Sequence, residues 1–545
     1  MSRLLRGTLI LTAATFFSKF IGLIYIVPFN ALVGTKGLAL YGYAYNPYTI
    51  LLSIATMGVP LAVSKFVSKY NALGDYMTGR RMLRSGLVVM TATGIIAFII
   101  LYVIAPSIAG NILGSHKSGD GNTVDDITYV IRMVSTALIF VPAMSLIRGY
   151  FQGFQSMGPT AVSQVIEQIV RIVYILASGY VIIHIVNGTL TSAVGQATFA
   201  ATLGAIAGLV ILLWYWYKRR SYLREMYAQS VTKTEISLPA IYKEIISYAI
   251  PFVAVGLAIP LYKIIDQFTI VDTLQNVGYS AAKAENVFAM VTQTSHQLVM
   301  IPVSLATAFA LTLIPVITKS YTERDFDALN QQITQAFQIT LFLTVPAAVG
   351  LSALAYPAYG TLFKLGDIDL GGNLLRWYSL SGVWFAMFTV TAAILQGLNR
   401  QKFALLSMLV GILFKLSLNI PFIYLWQGTG SIIATNIGYT VSIAINLYVI
   451  RKYGEFQFKW VLRRTALIVV FCIAMAAVVL LVKAPIEASF NDVYTKLRGI
   501  EVLVVGIVVG GITYVVLSMR SGLLQIVLGQ RLGFLNRKRK TKASS

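Results

Sequence analysis

"RGYFQGFQSMGPTAVSQVIEQIVRIVY", residues 148–174, and "AAILQGLNRQKFALLSMLVGILFKLSLNI", residues 392–420, decide the fold when one is laid on the other. Placing Gln152-Gly153 on Gln396-Gly397 brings Arg171 onto Lys415 without a gap. Both cations fall near the middle of an apolar stretch long enough to cross a membrane. A charge at bilayer depth costs about 2.5 kcal/mol or more. A matched pair in two halves of a duplicated chain therefore points to something anionic that must enter the membrane interior.

Working outward, hydrophobic residues make up 57% of the 545 and charged residues 12%, with a mean hydropathy of +0.75. So few charges do not cover a soluble globule of this length, and the chain reads as an all-α polytopic membrane protein. The net charge of +23 raises nucleic acid as a partner. The basic residues, however, lie in short clusters between apolar runs rather than along one face, so no nucleic-acid binding is expected. Cys472 is the single cysteine and excludes an intrachain disulfide. His116, His184 and His296 are too far apart for metal-ligand spacing, and no metal or cofactor is expected. The apolar stretch from Leu9 to about Val33 is longer than a signal-peptide core and lacks a small-residue cleavage site, so it reads as a retained first span.

Runs of roughly 20 residues or more predict about fourteen transmembrane helices, near 8–33, 42–64, 86–110, 128–148, 160–185, 192–217, 246–271, 286–316, 334–360, 375–397, 402–425, 430–450, 465–483 and 499–518. Six fall in residues 1–230 and six in 231–455, with a repeat offset near 240 to 250. An even number per half predicts parallel repeats: two six-helix lobes around a central cationic cavity. Residues 456–519 add a helix pair without a counterpart. Residues 520–545 join an apolar stripe (Leu523, Leu524, Val527, Leu528) to the run Arg537, Lys538, Arg539, Lys540 and Lys542, which reads as an amphipathic tail on an anionic leaflet. The clusters Lys65 to Arg84, Lys218 to Arg224 and Arg451 to Arg464 share one side, which the positive-inside rule makes cytoplasmic together with both termini.

Within or at the edges of spans lie Lys19, Arg132, Arg171, Lys263, Arg376 and Lys415, against Glu167, Asp266 and Glu285. Arg132 and Arg376 are near span ends and can snorkel. Glu167 with Arg171, and Lys263 with Asp266, are spaced to neutralise each other as local ion pairs. Alternatively, Gln164, Glu167, Gln168 and Arg171 form a polar stripe suited to a wet cavity, matched by Ser407, Gly411, Lys415 and Asn419 in the second half. Lys19 and Lys415 have no acid near them on their own helices and are expected to line that cavity. His296, with Thr292 and Ser295, either ties helices together or meets a ligand.

"FFSKFIGL" at 16–23, "GVPLAVSKFVSKY" at 58–70, "RGYFQG" followed by "PTAVSQVIEQIVRI", and "LQGLNRQ" at 395–401 resemble the multidrug, oligosaccharidyl-lipid and polysaccharide exporter superfamily. Within it the whole chain is similar to the MurJ and stage V sporulation protein B group of lipid II flippases, in the branch typical of Gram-positive bacteria. The resemblance implies a substrate, undecaprenyl-diphosphate linked to the peptidoglycan disaccharide-pentapeptide, and a final helix pair that forms a groove for its lipid tail. It also implies residence in the cytoplasmic membrane, contact with membrane lipids and, as candidate partners, cell-wall synthesis proteins. The family's first-span Ser-Arg falls on Ser18-Lys19 and its seventh-span Ile-Asp on Ile265-Asp266. Three arginines of Gram-negative members fall near Tyr25, Leu51 to Ser53 and His296, which leaves the cavity charge to Lys19, Arg171, Lys263 and Lys415.

Three rival readings are weaker. A drug or cation antiporter calls for an acid-dominated cavity, and this one is basic. An exporter of another lipid-linked glycan, such as a teichoic-acid or capsule unit, would present the same charges. A membrane enzyme acting on lipid-linked sugars has only Asp367-Ile368-Asp369 in its favour, with no nucleophile or base cluster nearby.

Overall fold

The computed structural model describes the backbone of residues 3–56, 59–114, 120–230, 253, 255–363, 367–488 and 496–528. Among these residues every regular element is helical. The chain forms two compact units, Met1–Gln293 and Thr294–Ser545. The first holds α1 (Arg3–Ile24), α2 (Ile26–Thr56), α3 (Val59–Ala72), α4 (Tyr76–Leu113), α5 (Val124–Ser135), α6 (Val141–Gly153), α7 (Met157–Tyr180), α8 (Leu190–Lys218), α9 (Arg220–Ala228), α10 (Ala258–Asn276) and α11 (Ala281–Ala289). The second holds α12 (His296–Thr322), α13 (Phe326–Ala353), α14 (Ala355–Leu362), α15 (Ile368–Gly397), α16 (Gln401–Gly454), α17 (Lys459–Ala488), α18 (Lys496–Arg520) and α19 (Leu523–Leu528). The division falls inside a π-helical stretch, Met290–Ser295. The repeat boundary read from the sequence, between 230 and 231, and the polybasic run at 537–542 lie outside the described residues.

Ten helical stretches among the described residues are long and apolar enough to cross a bilayer, and the protein is an all-α polytopic membrane protein. Two of the ten are too long for one crossing. Ala13–Thr56 has 44 residues and Gln401–Gly454 has 54. At 1.5 Å per residue they would reach about 66 and 81 Å, against a hydrocarbon core of about 30 Å. Each breaks where the backbone leaves helical geometry, at Gly34 (φ 66°) and Gln427 (φ 53°). Those breaks fall between expected spans, so each stretch holds two of them. The expected span at 246–271 includes residues outside the described ones, and the count of fourteen is not reached among those described.

The duplication is written into the corners of the chain. Left-handed residues recur in pairs roughly 240 to 250 residues apart: Gly34 with Gly278, Gly74 with Arg324, Gln155 with Asn399, and Asn187 with Gln427. The Gln155 and Asn399 turns match bond for bond. Gln155 N–H donates to the Gln152 carbonyl and Ser156 N–H to that of Phe151, as Asn399 does to Gln396 and Arg400 to Leu395. Arg171 and Lys415 therefore sit at the same distance past the same turn. Asp75 and Asp325 follow the second pair of corners and cap α4 and α13, each accepting from a backbone N–H three residues on, at 3.0 Å. A capped start satisfies the orphan donors of a helix that begins in the polar interface.

The outward faces are apolar. On α4, Val88, Ile96, Ile99 and Val103 are exposed. On α7, Val162, Ile169 and Val173 are exposed on the side away from its polar residues. This inversion of a soluble helix is what lipid as solvent demands.

Candidate functional site

α7 begins just past the Gln155 turn, which fixes the phase of its polar stripe against α1, α2 and α6. Arg171 projects from it toward α2 and meets tyrosines. Its Nη2 donates to the Tyr41 hydroxyl at 3.1 Å, and its guanidinium lies 5.0 Å from the centroid of the Tyr45 ring. Tyr41 stacks on Tyr45 with centroids 5.0 Å apart, and the hydroxyls of Tyr41 and Tyr25 are 3.1 Å apart. Tyr48 closes the cluster edge-on against Tyr45. Among the described residues no carboxylate comes within ion-pair distance of Arg171. Aromatic faces attract a guanidinium without neutralising it, so the charge stays free to meet an outside anion. Sequence reasoning missed this cage. Its available signal was Tyr41, Tyr45 and Tyr48 at i, i+4 and i+7, one helix face.

The expected local pair of Glu167 with Arg171 is not made. Glu167 instead accepts from Arg148 Nη2 on α6 at 2.7 Å, and the same arginine reaches Ser163 Oγ at 2.7 Å. An arginine from a neighbouring helix approaches end-on, whereas two residues four apart on one helix must both bend along it. Gln164 and Gln168 turn toward α1. Gln164 Oε1 accepts from Thr15 Oγ1 at 3.0 Å. A Cβ on Gly22 would fall 2.6 Å from Gln168 Nε2, so that glycine makes room for the amide. Thr15, Lys19 and Gly22 share one helical face by spacing. The Lys19 side chain itself lies outside the described residues.

Lys263 and Asp266 lie one turn apart on α10, Lys263 half-buried and Asp266 buried. The neighbouring Gln267 fixes α10 to α2: its Oε1 accepts from Asn46 Nδ2 at 2.8 Å, and its Nε2 donates to the Tyr43 carbonyl at 3.1 Å. Beyond the spans, Glu285 on α11 accepts from Asn122 through the backbone N–H at 3.0 Å and through Nδ2 at 2.8 Å. Asp120 accepts from Ala282 N–H at 3.0 Å, a bond that holds its carboxyl below the ordinary aspartate value.

In the second unit the expectation of a cavity-lining Lys415 is not met. The side chain is fully buried. Its Nζ donates to the Ser431 carbonyl at 2.9 Å and to Thr435 Oγ1 at 2.7 Å, across the bend at Gln427. Ser442 Oγ donates to the Ser407 carbonyl at 2.8 Å along the same seam. The stripe of Ser407, Gly411, Lys415 and Asn419 is thus the inner face of a helical hairpin, because Leu409, Leu413, Phe414 and Leu416 are exposed on its other sides and claim the lipid. His296 is buried with Nδ1 2.9 Å from the Tyr378 hydroxyl and ties α12 to α15. Asp367 Oδ1 accepts from Leu370 N–H at 3.0 Å as the N-cap of α15.

The second unit also carries an apolar groove of about 370 Å³ between α12, α13, α17 and α18. Pro302, Pro346, Gly350, Met475, Gly506 and Gly511 are among its walls. The final helix pair therefore builds one side of an apolar slot.

With this geometry in place, the comparisons with known proteins converge. Residues 4–321 match the family described as Polysaccharide biosynthesis protein, and residues 279–498 match the family described as Lipid II flippase MurJ. The Lipid II flippase MurJ of Bacillus subtilis (strain 168) is 47% identical over 541 residues, 99% of each chain. Stage V sporulation protein B of the same organism is 24% identical, over 76% of each chain. A solved structure titled "Lipid II flippase MurJ, inward closed conformation" superposes with a TM-score of 0.67 at 16% identity, covering 96% of this chain and 100% of that one. An inward-facing multidrug resistance MATE family transporter of the MOP superfamily gives 0.63 at 17% identity, covering 79% and 94%. The solved structures establish a shared fold, and full-length identity to the Bacillus protein settles the rest: the chain belongs to the lipid II flippase MurJ family.

Proposed function

We propose that this protein is a flippase that carries lipid II from the inner to the outer leaflet of the bacterial cytoplasmic membrane by alternating access, with both termini in the cytoplasm. The carrying observation is Arg171, a cation deep in a membrane-spanning unit whose near neighbours are tyrosines rather than a carboxylate. Moving a diphosphate through bare hydrocarbon would cost on the order of tens of kcal/mol in the Born limit. A protein path must therefore replace water with fixed cations. The planar fork of Arg171 suits paired phosphate oxygens, and Lys19 and Lys263 serve the same headgroup as point charges. Gln164 and Gln168 offer amides to the sugar and peptide. The groove beside the final helix pair takes the polyprenyl chain. The sequence repeat assigns this path to two six-helix lobes, 1–230 and 231–455, and cell-wall synthesis proteins are candidate partners.

Because the cytoplasm is electrically negative, moving two negative charges outward is downhill by about 2.3 kcal/mol per charge at 100 mV. The test is depletion in a strain lacking other exporters of the precursor. Lipid-linked peptidoglycan precursor should accumulate on the inner leaflet, and Arg171→Ala should fail to reverse it. An unchanged leaflet distribution would refute the proposal. In vesicles, equal rates at zero and high potential would remove the electrical drive and leave the substrate assignment intact.

A further inference from the structure

A second basic feature of the first unit lies apart from Arg171. Arg80 and Arg84 on α4, with Arg220 and Arg224 on α9, border a cavity of about 620 Å³ whose floor is Leu83, Leu87, Ile147 and Leu213. Local electrostatics oppose this arrangement. Each pair places like charges four residues apart on one helix, and Arg220 opens α9, where the helix dipole disfavours a cation. Among the described residues no carboxylate comes within ion-pair distance of any of the four.

Specific contacts nevertheless fix the elements around the cavity. The Arg80 guanidinium lies 4.8 Å from the centroid of Tyr227, whose hydroxyl is 2.7 Å from that of Tyr150. Arg220 lies 4.3 Å from the ring centroid of Tyr217. Met77 N–H donates to Ser230 Oγ at 3.3 Å and pins the end of α9 to the start of α4. Four arginines that border one apolar cavity are complementary to an anion attached to hydrocarbon. From that floor the exposed apolar residues Val88 and Ile95 run along α4, and Leu213 and Val210 along α8. A lipid headgroup seated among the arginines would thus have a ready surface for its chains, which a free phosphate would leave unused.

We propose that this cavity binds the phosphate headgroup of an anionic membrane phospholipid, with its acyl chains laid along α4 and α8. The site does not depend on the transport reading and stands or falls separately from it.

The experiment places the full-length protein in nanodiscs of phosphatidylcholine with a minor fraction of phosphatidylglycerol, releases it into neutral detergent, and counts retained lipids by native mass spectrometry. The wild type should retain phosphatidylglycerol in preference to phosphatidylcholine. Arg84 and Arg224 are both exposed, so Arg84→Gln/Arg224→Gln leaves the fold intact. It should weaken that preference by about thirtyfold, since each basic residue near an anionic surface adds a similar increment. The fourfold variant, with Arg80→Gln and Arg220→Gln added, should abolish it. Inorganic phosphate should not displace the lipid. Equal retention of both lipids, undiminished preference in the double variant, or displacement by phosphate alone would each overturn the proposal.

Discussion

The guanidinium of Arg171 rests against tyrosine faces, and that choice of neighbour decides what its charge can still do. A carboxylate partner would spend the charge, whereas a ring holds the side chain in place and leaves N–H donors for a ligand. Arg171→Lys keeps the charge but loses the fork and the stacking, so flipping in proteoliposomes should slow by about tenfold with unchanged thermal unfolding. Equal initial rates would show that any cation suffices there. Lys415 is the contrasting residue. Thr435 Oγ1 already donates to the Ser431 carbonyl at 3.0 Å, so Lys415→Met leaves that carbonyl satisfied. Flipping should stay within about twofold of wild type and stability within about 1.5 kcal/mol. A large loss of transport without loss of stability would return Lys415 to the substrate path. The symmetry of these two cations was legible from spacing alone. Their different surroundings were not, because the sequence places Tyr41 and Tyr45 far from Arg171 and gives no sign that Arg148 would reach across to Glu167.

At the corners the two repeats keep the same backbone turn while the residues that occupy it differ. Hydropathy located the crossings because apolar run length reports the solvent a helix meets, and the breaks at Gly34 and Gln427 fall in the gaps it predicts. It misjudged helix ends: α4 starts at Tyr76 although its apolar run begins near 86, because the Asp75 cap lets the helix extend into the interface with its basic residues solvated. At the fourth corner, Asn187 has φ 53° and its counterpart Gln427 also has φ 53°, with ψ −133°. Asparagine is several-fold enriched at positive φ and glutamine is not, so Gln427 carries the greater backbone strain. Gln427→Gly should therefore stabilise the protein by about 1 kcal/mol, read as a rise in melting temperature in detergent. A lower melting temperature would show that the glutamine side chain contributes more than its backbone geometry costs. Three residues on, a Cβ at Gly430 would collide with the Phe422 carbonyl oxygen. Gly430→Ala should accordingly cost about 3 kcal/mol, since the backbone must open to admit the methyl.

At the scale of the molecule, transport of a long amphiphile sets two requirements: a charged path for the head and an apolar one for the chain. On the function proposed above, the cations of the first unit serve the head and the groove between α12, α13, α17 and α18 of the second serves the chain, which stays in a lipid-like surface while the head exchanges water for protein. Gly511 allows the two requirements to be separated. A Cβ there meets no atom within 4 Å, so a large side chain enters the groove without moving backbone. Gly511→Trp should displace about two methylenes of a bound chain and slow flipping of the full-length lipid by about tenfold. A short-chain analogue with the same diphosphate-sugar head never reaches the groove, and its rate should stay within about twofold of wild type. Equal slowing of both substrates would mean that the final helix pair acts through lobe movement instead of chain binding, and no slowing of either would mean that the chain travels elsewhere. Measuring both lipids on one preparation, with its melting temperature as the control for folding, separates these outcomes.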